Sequence, residues 1–348
     1  MALRMDHIRG IRHDAVSDWF KANVAGAALP LTFELIAGGH SNLTFKATDA
    51  HGRCYVLRRP PLRQVLATAH DMGREHKVIA ALANTDVPVP RAFGLCEDET
   101  INERPFYVME FVDGRVVRTQ EQAFGLAPEL RRSASRSIAD ILARIHAVDV
   151  GLVGLGDLGR KEDYIARQLR RWLRQFEESK TRERPEIQQV HDHLVARIPE
   201  QGPAGIVHGD YRLDNCILGE SGQVVAVLDW ELCTLGDRNA DIAQLLVYWA
   251  EPNDPDFALD NPPTSVPGFA SRAELQDRYQ QASGRDLDNF EFYLAFAYWK
   301  VACILEGVYS RYVGGAMGDK APPRGADSFA ARVDALTEMA TAAAEQVA

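Results

Sequence analysis

A polar segment between two apolar runs constrains the fold of this 348-residue chain more than any other feature. Residues 206–218 read IVHGDYRLDNCIL, so that Asp210 and Asn215 lie five positions apart between hydrophobic stretches. A second apolar run, VVAVLDWE at 224–231, leads into another acid, Asp229. The pattern is typical either of a polar turn between strands or of a metal and phosphate site.

The two apolar runs are predicted to pair as a β-hairpin. Glycines mark a turn between 216–218 and 224–228, and glycine supplies the backbone conformations that tight turns require. Such a hairpin would bring Asn215 and Asp229 together at one end of its strands.

The polar side chains match what phosphoryl transfer requires. Mg²⁺ must bridge the oxygens of the γ-phosphate, and it prefers hard oxygen ligands. A base must also lie within hydrogen-bond reach of the acceptor hydroxyl. Asn215 and Asp229 would supply two oxygen ligands, and Asp210 would supply a separate carboxylate. A metal hydrolase that uses His208 is disfavoured, because no further histidine stands at a useful spacing.

These motifs carry a resemblance to a known family. HGDYRLDN, at 208–215, resembles the catalytic loop of the aminoglycoside phosphotransferase family, within the protein-kinase-like superfamily. LDWE, at 228–231, stands where kinases have Asp-Phe-Gly. The resemblance implies that Asp210 is the catalytic base, that Asn215 and Asp229 bind Mg²⁺, and that ATP is the phosphate donor.

The resemblance also implies an α+β, protein-kinase-like fold with two lobes, and the order of elements agrees with it. Strand patterns dominate residues 1–113, which are predicted to form a small nucleotide-binding lobe. Helical periodicity dominates residues 114–348, which are predicted to form a large catalytic and acceptor-binding lobe. A hinge is expected near 112–118, and ligands favour the crevice between such lobes.

The first lobe offers candidate residues for binding ATP. The turn AGGHSN, at 37–42, departs from the kinase Gly-x-Gly-x-x-Gly pattern, so a plain hairpin turn is the alternative to a phosphate-binding loop. YVLR places Arg58 where kinases have lysine, and Glu75 is its predicted ion-pair partner. FYVMEFVDG would line the adenine pocket, or it is an ordinary apolar strand. The candidate cofactor-binding residues are Gly39, Ser41, Asn42, Arg58, Glu75, Met109, Glu110, Phe111 and Val112.

Other polar residues near the motif are predicted to be structural. Asp237 is expected to cap the helix at 238–250 and to tie it to the catalytic loop. Asp241 is expected to brace the same region, and His208 is expected to belong to the scaffold.

The resemblance extends to one branch of the family. VLRRPP, FYVMEFVDG, HGDYRLDN and LDWELCTLGDRNAD together resemble the kinase-like domains that are fused to, or encoded beside, acyl-CoA dehydrogenases. Those domains are implicated in phosphorylating the hydroxyl group of hydroxyacyl-CoA substrates, and they also carry arginine at the position of Arg58. The resemblance therefore implies a hydroxyacyl-CoA or related hydroxy acid as the small-molecule acceptor, and a functional association with an acyl-CoA dehydrogenase.

A late apolar helix, FAYWKVACILEGVYSRYV, is similar to a helix that faces the acceptor in this family. The alternative is a buried helix with a few satisfied polar groups. The candidate acceptor-binding residues are Trp230, Glu231, Glu306, Tyr309 and Arg311. Arginines at 167, 170, 171 and 174 would form either a CoA-binding face or a solvated helix surface.

Other functions stay open on the sequence alone. Members of the family also phosphorylate aminoglycosides, choline, homoserine and sugars, and the acidic stretch at 251–260 would suit a cationic acceptor. A nucleotide-binding pseudokinase is a further alternative, although Asp210, Asn215 and Asp229 are all present.

Composition restricts the partners and the location. The net charge of −10 argues against a nucleic-acid partner, which would need a concentrated basic face. The most hydrophobic segment, 290–313, contains Lys300, Glu306 and Arg311, so we predict a buried helix and no membrane partner. The first residues lack a signal-peptide core, and the five cysteines are expected to be reduced, mostly buried thiols. Both observations suit the cytoplasm.

Overall fold

The computed structural model of the protein describes residues 8–37, 42–62, 71–254, 260–315, 325 and 327–347. The chain divides into two compact units. Met1–Asp113 and Val225–Glu231 form the first unit, and Gly114–Val224 and Leu232–Ala348 form the second. Asp229 therefore belongs to the first unit, although it lies far along the chain from the rest of that unit.

A five-stranded antiparallel sheet is the centre of the first unit. In chain order its strands are β1 (Thr32–Ala37), β2 (Leu43–Thr48), β3 (Cys54–Arg59), β4 (Ala92–Cys96) and β5 (Phe106–Glu110). Their spatial order is β1-β2-β3-β5-β4, so that β4 lies at an edge. The prolines at 88 and 90 precede this strand, and proline, which lacks a backbone N–H, is tolerated near sheet edges.

The described residues of the first unit also form the helices α1 (His13–Asn23), α2 (Met72–Leu82) and α3 (Glu99–Asn102). α1 buries Val16 and Phe20 in the same apolar core as Phe45 of β2 and Leu57 of β3. α2 packs against β4 and β5. Asp71 caps α2 by accepting a hydrogen bond from the amide of a first-turn residue, at 2.9 Å.

Helices form most of the second unit. In chain order they are α4 (Gln120–Phe124), α5 (Pro128–Ala147), α6 (Tyr164–Ser179), α7 (Pro185–Val195), α8 (Asn239–Tyr248), α9 (Arg272–Ser283), α10 (Phe290–Val313) and α11 (Asp327–Ala344). α9 begins with a capping box in which Ser271 and Glu274 bind each other's backbone amides. This pairing satisfies amides at the start of the helix that have no partner within it.

α10 is the apolar helix expected at 290–313, and it packs against α6, α7, α8 and α11. Lys300 and Glu306 are buried within these contacts. The prediction of a buried helix is therefore confirmed. In the part of the chain that the structure describes, no helix is both long enough and apolar enough to cross a membrane.

Short strands flank the polar segment. β6 (Gly205–Val207) ends just before it, and β7 (Cys216–Leu218) begins just after it. β8 (Val224–Val227) forms a two-stranded sheet with β7, which confirms the predicted hairpin. β9 (Thr234–Gly236) pairs with β6 and leads into α8.

The hairpin turn requires glycine at position 222. Gly222 has a φ of +79°, a conformation that side chains with a Cβ rarely adopt. A Cβ at this position would also lie 2.5 Å from the carbonyl oxygen of Leu130. The amide of Gly222 donates to the carbonyl oxygen of Gly219 at 3.0 Å and closes the turn.

The cysteines carry free thiols, and four of the five are buried: Cys96, Cys216, Cys233 and Cys303. Burial raises the pKa of the Cys216 and Cys303 thiols above the ordinary value. These side chains therefore behave as small apolar groups in the core, as predicted.

Candidate active site

A buried carboxylate from α8 holds the HGDYRLDN segment. The backbone amides of His208 and Gly209 donate to the two carboxylate oxygens of Asp241, at 2.5 and 2.9 Å. His146 of α5 connects this carboxylate to Tyr279 of α9, with ring nitrogens 3.4 Å from the acid and 2.6 Å from the phenol oxygen. Burial acts to raise the pKa of Asp241, but the hydrogen bonds from His146 and the Gly209 amide outweigh it and lower the pKa. The carboxylate therefore stays charged.

Two side chains contact the carbonyl group of Gly209. Its oxygen accepts a hydrogen bond from Nε2 of Gln244 at 2.8 Å and lies 3.4 Å from Nζ of Lys300. Asp241 and Gln244 are three residues apart, so both project from one face of α8. Gly209 has a φ of +85°, and a Cβ there would lie 2.9 Å from a backbone carbonyl oxygen. Only glycine fits this position without strain.

Asp210 stays accessible although the backbone before it is held, since 22% of its side chain is exposed. Nδ2 of Asn215 donates to the carboxylate of Asp210 at 3.0 Å and to its carbonyl oxygen at 2.8 Å. Nε of Arg212 lies 3.5 Å from Asp210 and 3.1 Å from Asp214. The candidate base is thus oriented by an amide and a guanidinium group, and neither contact was predicted from the sequence.

Arg58 of β3 joins two carboxylates within the first unit. Its Nε lies 3.1 Å from Oε2 of Glu75 on α2, which confirms the predicted ion pair. Its Nη2 lies 2.5 Å from Oδ1 of Asp229. Burial acts to lower the pKa of Arg58, but the charges of Glu75 and Asp229 outweigh it and raise the pKa. Burial raises the pKa of the fully enclosed Glu75 to about 7.

Asp229 has the left-handed backbone conformation, with a φ of +66°. A residue with a side chain adopts this conformation only where its surroundings hold it. The next residue, Trp230, is fully buried, and its indole N–H donates to the carbonyl oxygen of Val227 at 3.1 Å. Burial therefore favours a structural role for Trp230 over contact with an acceptor.

The predicted phosphate-binding turn is only partly described. Gly39 and Ser41 lie outside the described residues. Asn42 is buried, and its Nδ2 donates to Oε2 of Glu231 at 3.1 Å. The structure therefore joins one predicted nucleotide-binding residue to one predicted acceptor-binding residue.

The predicted adenine-binding residues lie at the end of β5. Met109 is buried in the strand, and the amide of Glu110 donates to the carbonyl oxygen of Arg91 at 2.8 Å. Phe111 and Val112 follow the strand and are half-buried. The amide of Glu110 already has a partner, so the remaining backbone groups of this segment are better candidates for a purine.

The late-helix candidates differ in exposure. Glu306 is fully buried and accepts hydrogen bonds from the amide and the hydroxyl of Thr181, both at 2.8 Å. Tyr309 is half-buried and Arg311 is exposed. The contacts of Glu306 favour the structural alternative for that residue. Of the α6 arginines, those at 170, 171 and 174 are exposed, and the one at 167 is half-buried.

A pocket in the second unit adjoins the outer end of the HGDYRLDN segment. Arg118, Arg212 and Arg332 line it together with Asp214 and Asp260, so that the lining arginines outnumber the lining acids. Its cavity volume is about 100 Å³, so it would enclose a small charged group and not a whole drug-sized ligand. The sequence did not mark this pocket, because its residues come from five separate segments of the chain.

Asp237 does not tie α8 to the catalytic loop, contrary to the prediction. Its carboxylate accepts from the amide of Asn239 at 3.1 Å and from the hydroxyl of Tyr293 at 2.6 Å. Asp241, one turn later, makes the contacts that were expected of Asp237. Asp237 precedes α8, and its side chain instead contacts Tyr293 of α10.

The donor atoms of the two metal-ligand candidates suit Mg²⁺. Asn215 turns its amide nitrogen toward Asp210, so its carbonyl oxygen is the atom that would bind a metal, and Asp229 offers a carboxylate. Among the described residues, no three or more His, Cys, Asp or Glu side chains are grouped to hold a metal ion. Asn215 belongs to the second unit and Asp229 to the first, and their joint binding of Mg²⁺ stays a prediction.

Sequence comparison places these residues within a known family. The model of the phosphotransferase enzyme family, APH, matches residues 32–293. Acyl-CoA dehydrogenase family member 10 of Mus musculus is 38% identical over 282 residues, which are 80% of this chain and 26% of the mouse protein. The chain spans only 26% to 41% of the length of the first three curated relatives that it matches.

Solved structures show the same fold. A provisionally assigned aminoglycoside phosphotransferase from Ralstonia eutropha JMP134 is 35% identical, with a TM-score of 0.80 over 96% of this chain and 98% of that chain. The ternary complex of aminoglycoside phosphotransferase APH(4)-Ia with AMP-PNP and hygromycin B is 16% identical, with a TM-score of 0.60 over 93% and 98% of the two chains. These likenesses confirm the α+β, protein-kinase-like fold. The chain belongs to the phosphotransferase enzyme family, APH.

Proposed function

We propose that the chain transfers the γ-phosphoryl group of ATP to a hydroxyl group of a small molecule, with Asp210 as the base. The observation that carries the proposal is how the HGDYRLDN segment is hydrogen-bonded and which of its side chains stays accessible. Asp241 and Gln244 bind the backbone before Asp210, whereas the carboxylate of Asp210 stays accessible and is oriented by Asn215. A general base requires a fixed position and a carboxylate that the acceptor hydroxyl can reach.

Each residue has a defined role in this proposal. Asp210 takes the proton of the acceptor hydroxyl while that oxygen attacks the γ-phosphorus and ADP leaves. Asn215 and Asp229 would hold Mg²⁺, which would neutralise negative charge on the phosphates when it is bound. Arg58, held by Glu75, supplies a positive charge beside Asp229. ATP as donor is supported by the AMP-PNP complex of APH(4)-Ia, which shares the fold.

We infer that the acceptor carries negative charge. The pocket beside the HGDYRLDN segment presents Arg118, Arg212 and Arg332, and guanidinium groups bind phosphate and carboxylate well. The matched relatives are named acyl-CoA dehydrogenases, and this chain covers less than half of each. Both observations support a hydroxyacyl-CoA or related hydroxy acid as acceptor, and a functional association with an acyl-CoA dehydrogenase. The accessible late-helix candidates are Tyr309 and Arg311.

An inactive nucleotide-binding module is the second candidate function. The observation that favours it is the ion pair between Arg58 and Asp229, since that pair occupies an oxygen that a metal would need. A module of this kind would bind nucleotide without transferring phosphate.

The experiment that separates these functions is ADP release from Mg·ATP across a panel of acceptors. The panel contains 3- and 4-hydroxyacyl-CoAs, the free hydroxy acids, choline, homoserine, simple sugars and several aminoglycosides. Release with the hydroxyacyl-CoAs or hydroxy acids alone is the expected result. Release with a cationic or neutral acceptor alone would overturn the inferred acceptor class, and nucleotide binding without release would favour the inactive module.

A further inference from the structure

Lys300 is a charged residue in the interior of the second unit. It lies in the middle of α10, and only 4% of it is exposed. Burying an ammonium group costs free energy unless polar partners replace the lost water. Nζ of Lys300 donates to Oε1 of Gln244 at 2.5 Å and lies 3.4 Å from the carbonyl oxygen of Gly209. The ring of Trp172 on α6 lies 5.8 Å away. The lysine therefore points at the backbone of the HGDYRLDN segment.

The peptide unit between Gly209 and Asp210 is bound at both of its polar atoms. Its carbonyl oxygen accepts from Gln244 and faces the Lys300 ammonium group. Its amide, the N–H of Asp210, donates to Nδ1 of His208 at 3.3 Å. Rotation of this peptide unit would move the carboxylate of Asp210, so its partners control where the candidate base lies.

We propose that Lys300 is a positioning residue for phosphoryl transfer, acting through the carbonyl group of Gly209 to hold the peptide unit that carries Asp210. This inference rests on the proposed function of Asp210 as the base. Lys300 contacts neither of the metal-ligand candidates and acts through Gly209 and Gln244.

The charge of Lys300 depends on pH in a range that can be measured. Burial lowers the pKa of Lys300 to about 8, with the charges of Asp241 on α8 and Asp210 on the loop acting to raise it and Arg171 on α6 acting to lower it. Above this pH the neutral amine is a weaker donor to the Gly209 carbonyl group. Turnover is therefore expected to fall as the pH rises through about 8.

The test compares Lys300→Met, which removes the charge, with Lys300→Arg, which keeps a charge at every accessible pH. Lys300→Met should lower kcat by about 10- to 100-fold and leave the KM for ATP nearly unchanged, because the loop is misplaced while the nucleotide site is intact. It should also lose the fall in kcat near pH 8. Lys300→Arg should recover much of kcat and should likewise lose that fall.

A second measurement does not depend on turnover. Lys300→Met should speed hydrogen exchange of the backbone amides in a peptide that spans 206–213, relative to wild type. Val301→Ala is the matched control, because Val301 is fully buried in the same helix. This control should lower the melting temperature without changing kcat or exchange in that peptide.

Two results would overturn the proposal: wild-type kcat in Lys300→Met, or the same fall near pH 8 in Lys300→Arg as in wild type. Unchanged exchange at 206–213 in Lys300→Met would overturn it even if no acceptor is turned over. If wild type transfers no phosphate but Lys300→Met still speeds exchange at 206–213, the result would count against Asp210 as the base. It would still support the contact between Lys300 and the HGDYRLDN segment.

Discussion

Arg58 and Asp229 are bound to each other in the first unit, with Nη2 of the arginine 2.5 Å from Oδ1 of the aspartate. The arginine stands where kinases carry lysine, and the aspartate is a candidate metal ligand. Because Arg58 also pairs with Glu75, its guanidinium group lies between two acidic side chains. We expect Mg·ATP to compete with this ion pair for Asp229.

Removing the arginine alone should destabilise the protein more than removing both members of its buried pair. Arg58→Leu leaves the enclosed Glu75 without a cation, which we expect to lower the free energy of unfolding by about 3–5 kcal/mol. The double variant Arg58→Leu/Glu75→Leu should recover most of that loss. Urea unfolding of wild type, both single variants and the double variant measures the coupling. Losses that simply add would contradict the ion pair.

Asp241→Ala should both destabilise the protein and slow turnover. The amides of His208 and Gly209 would lose their acceptor, and each buried unsatisfied amide costs about 1–3 kcal/mol. The backbone before Asp210 would also lose the hydrogen bonds that position it, so kcat should fall. Urea midpoints and steady-state kinetics measure the two effects.

Asp237→Ala is the matched control for that variant. Asp237 is also a buried acid that accepts two hydrogen bonds, but its partners are Asn239 and Tyr293, outside the HGDYRLDN segment. It should lose a similar free energy of unfolding while kcat changes little. Equal falls in kcat in the two variants would show that general destabilisation, and not loop position, limits turnover.

The protein should lose stability in mild acid through His146. Burial lowers the pKa of His146 below its ordinary value of 6.5, so the unfolded state binds the proton more readily than the folded state. This contribution is complete above pH 6.5 and is lost as the pH falls. His146→Gln removes the titrating group and should flatten this part of the profile. Urea midpoints between about pH 5 and 8 test it, and parallel profiles for wild type and variant would contradict it.

Mg·ATP should raise the melting temperature of wild type, because a ligand that binds only the folded state stabilises it, by about 2.7 kcal/mol at 100 times its Kd. Asp229→Asn should lose the magnesium-dependent part of this shift and keep the part seen with ATP alone. Thermal unfolding with ATP, with and without Mg²⁺, measures both parts. No shift in wild type with either ligand would contradict nucleotide binding altogether.

The sequence predicts the features that depend on local pattern or on the order of motifs. The hairpin of β7 and β8 follows from two apolar runs and a glycine turn. The pair of Arg58 and Glu75 follows from the positions of a strand and the next helix along the chain. The burial of α10 follows from the charges within its apolar run, since a membrane span would carry them only at high cost.

Contacts between distant segments could not be predicted in the same way. From the sequence, Lys300 served only as an argument against a membrane span. Its contact with Gln244 could not be predicted, because the two residues are 56 positions apart in the chain. His146 lies 95 residues from Asp241, and no motif joins them. The error at Asp237 has the same cause: capping preference identifies an acid near the start of α8, but packing decides which acid reaches the loop.

The most direct test of the proposed function is single-turnover transfer of the γ-phosphoryl group from Mg·ATP to an accepted hydroxy compound, with wild type and Asp210→Asn. We predict that both bind ATP with the same Kd, and that the variant forms phosphorylated product slower by about 10²- to 10⁴-fold, because the base is lost. Transfer at the wild-type rate by Asp210→Asn would remove Asp210 from the mechanism and contradict the proposed reaction.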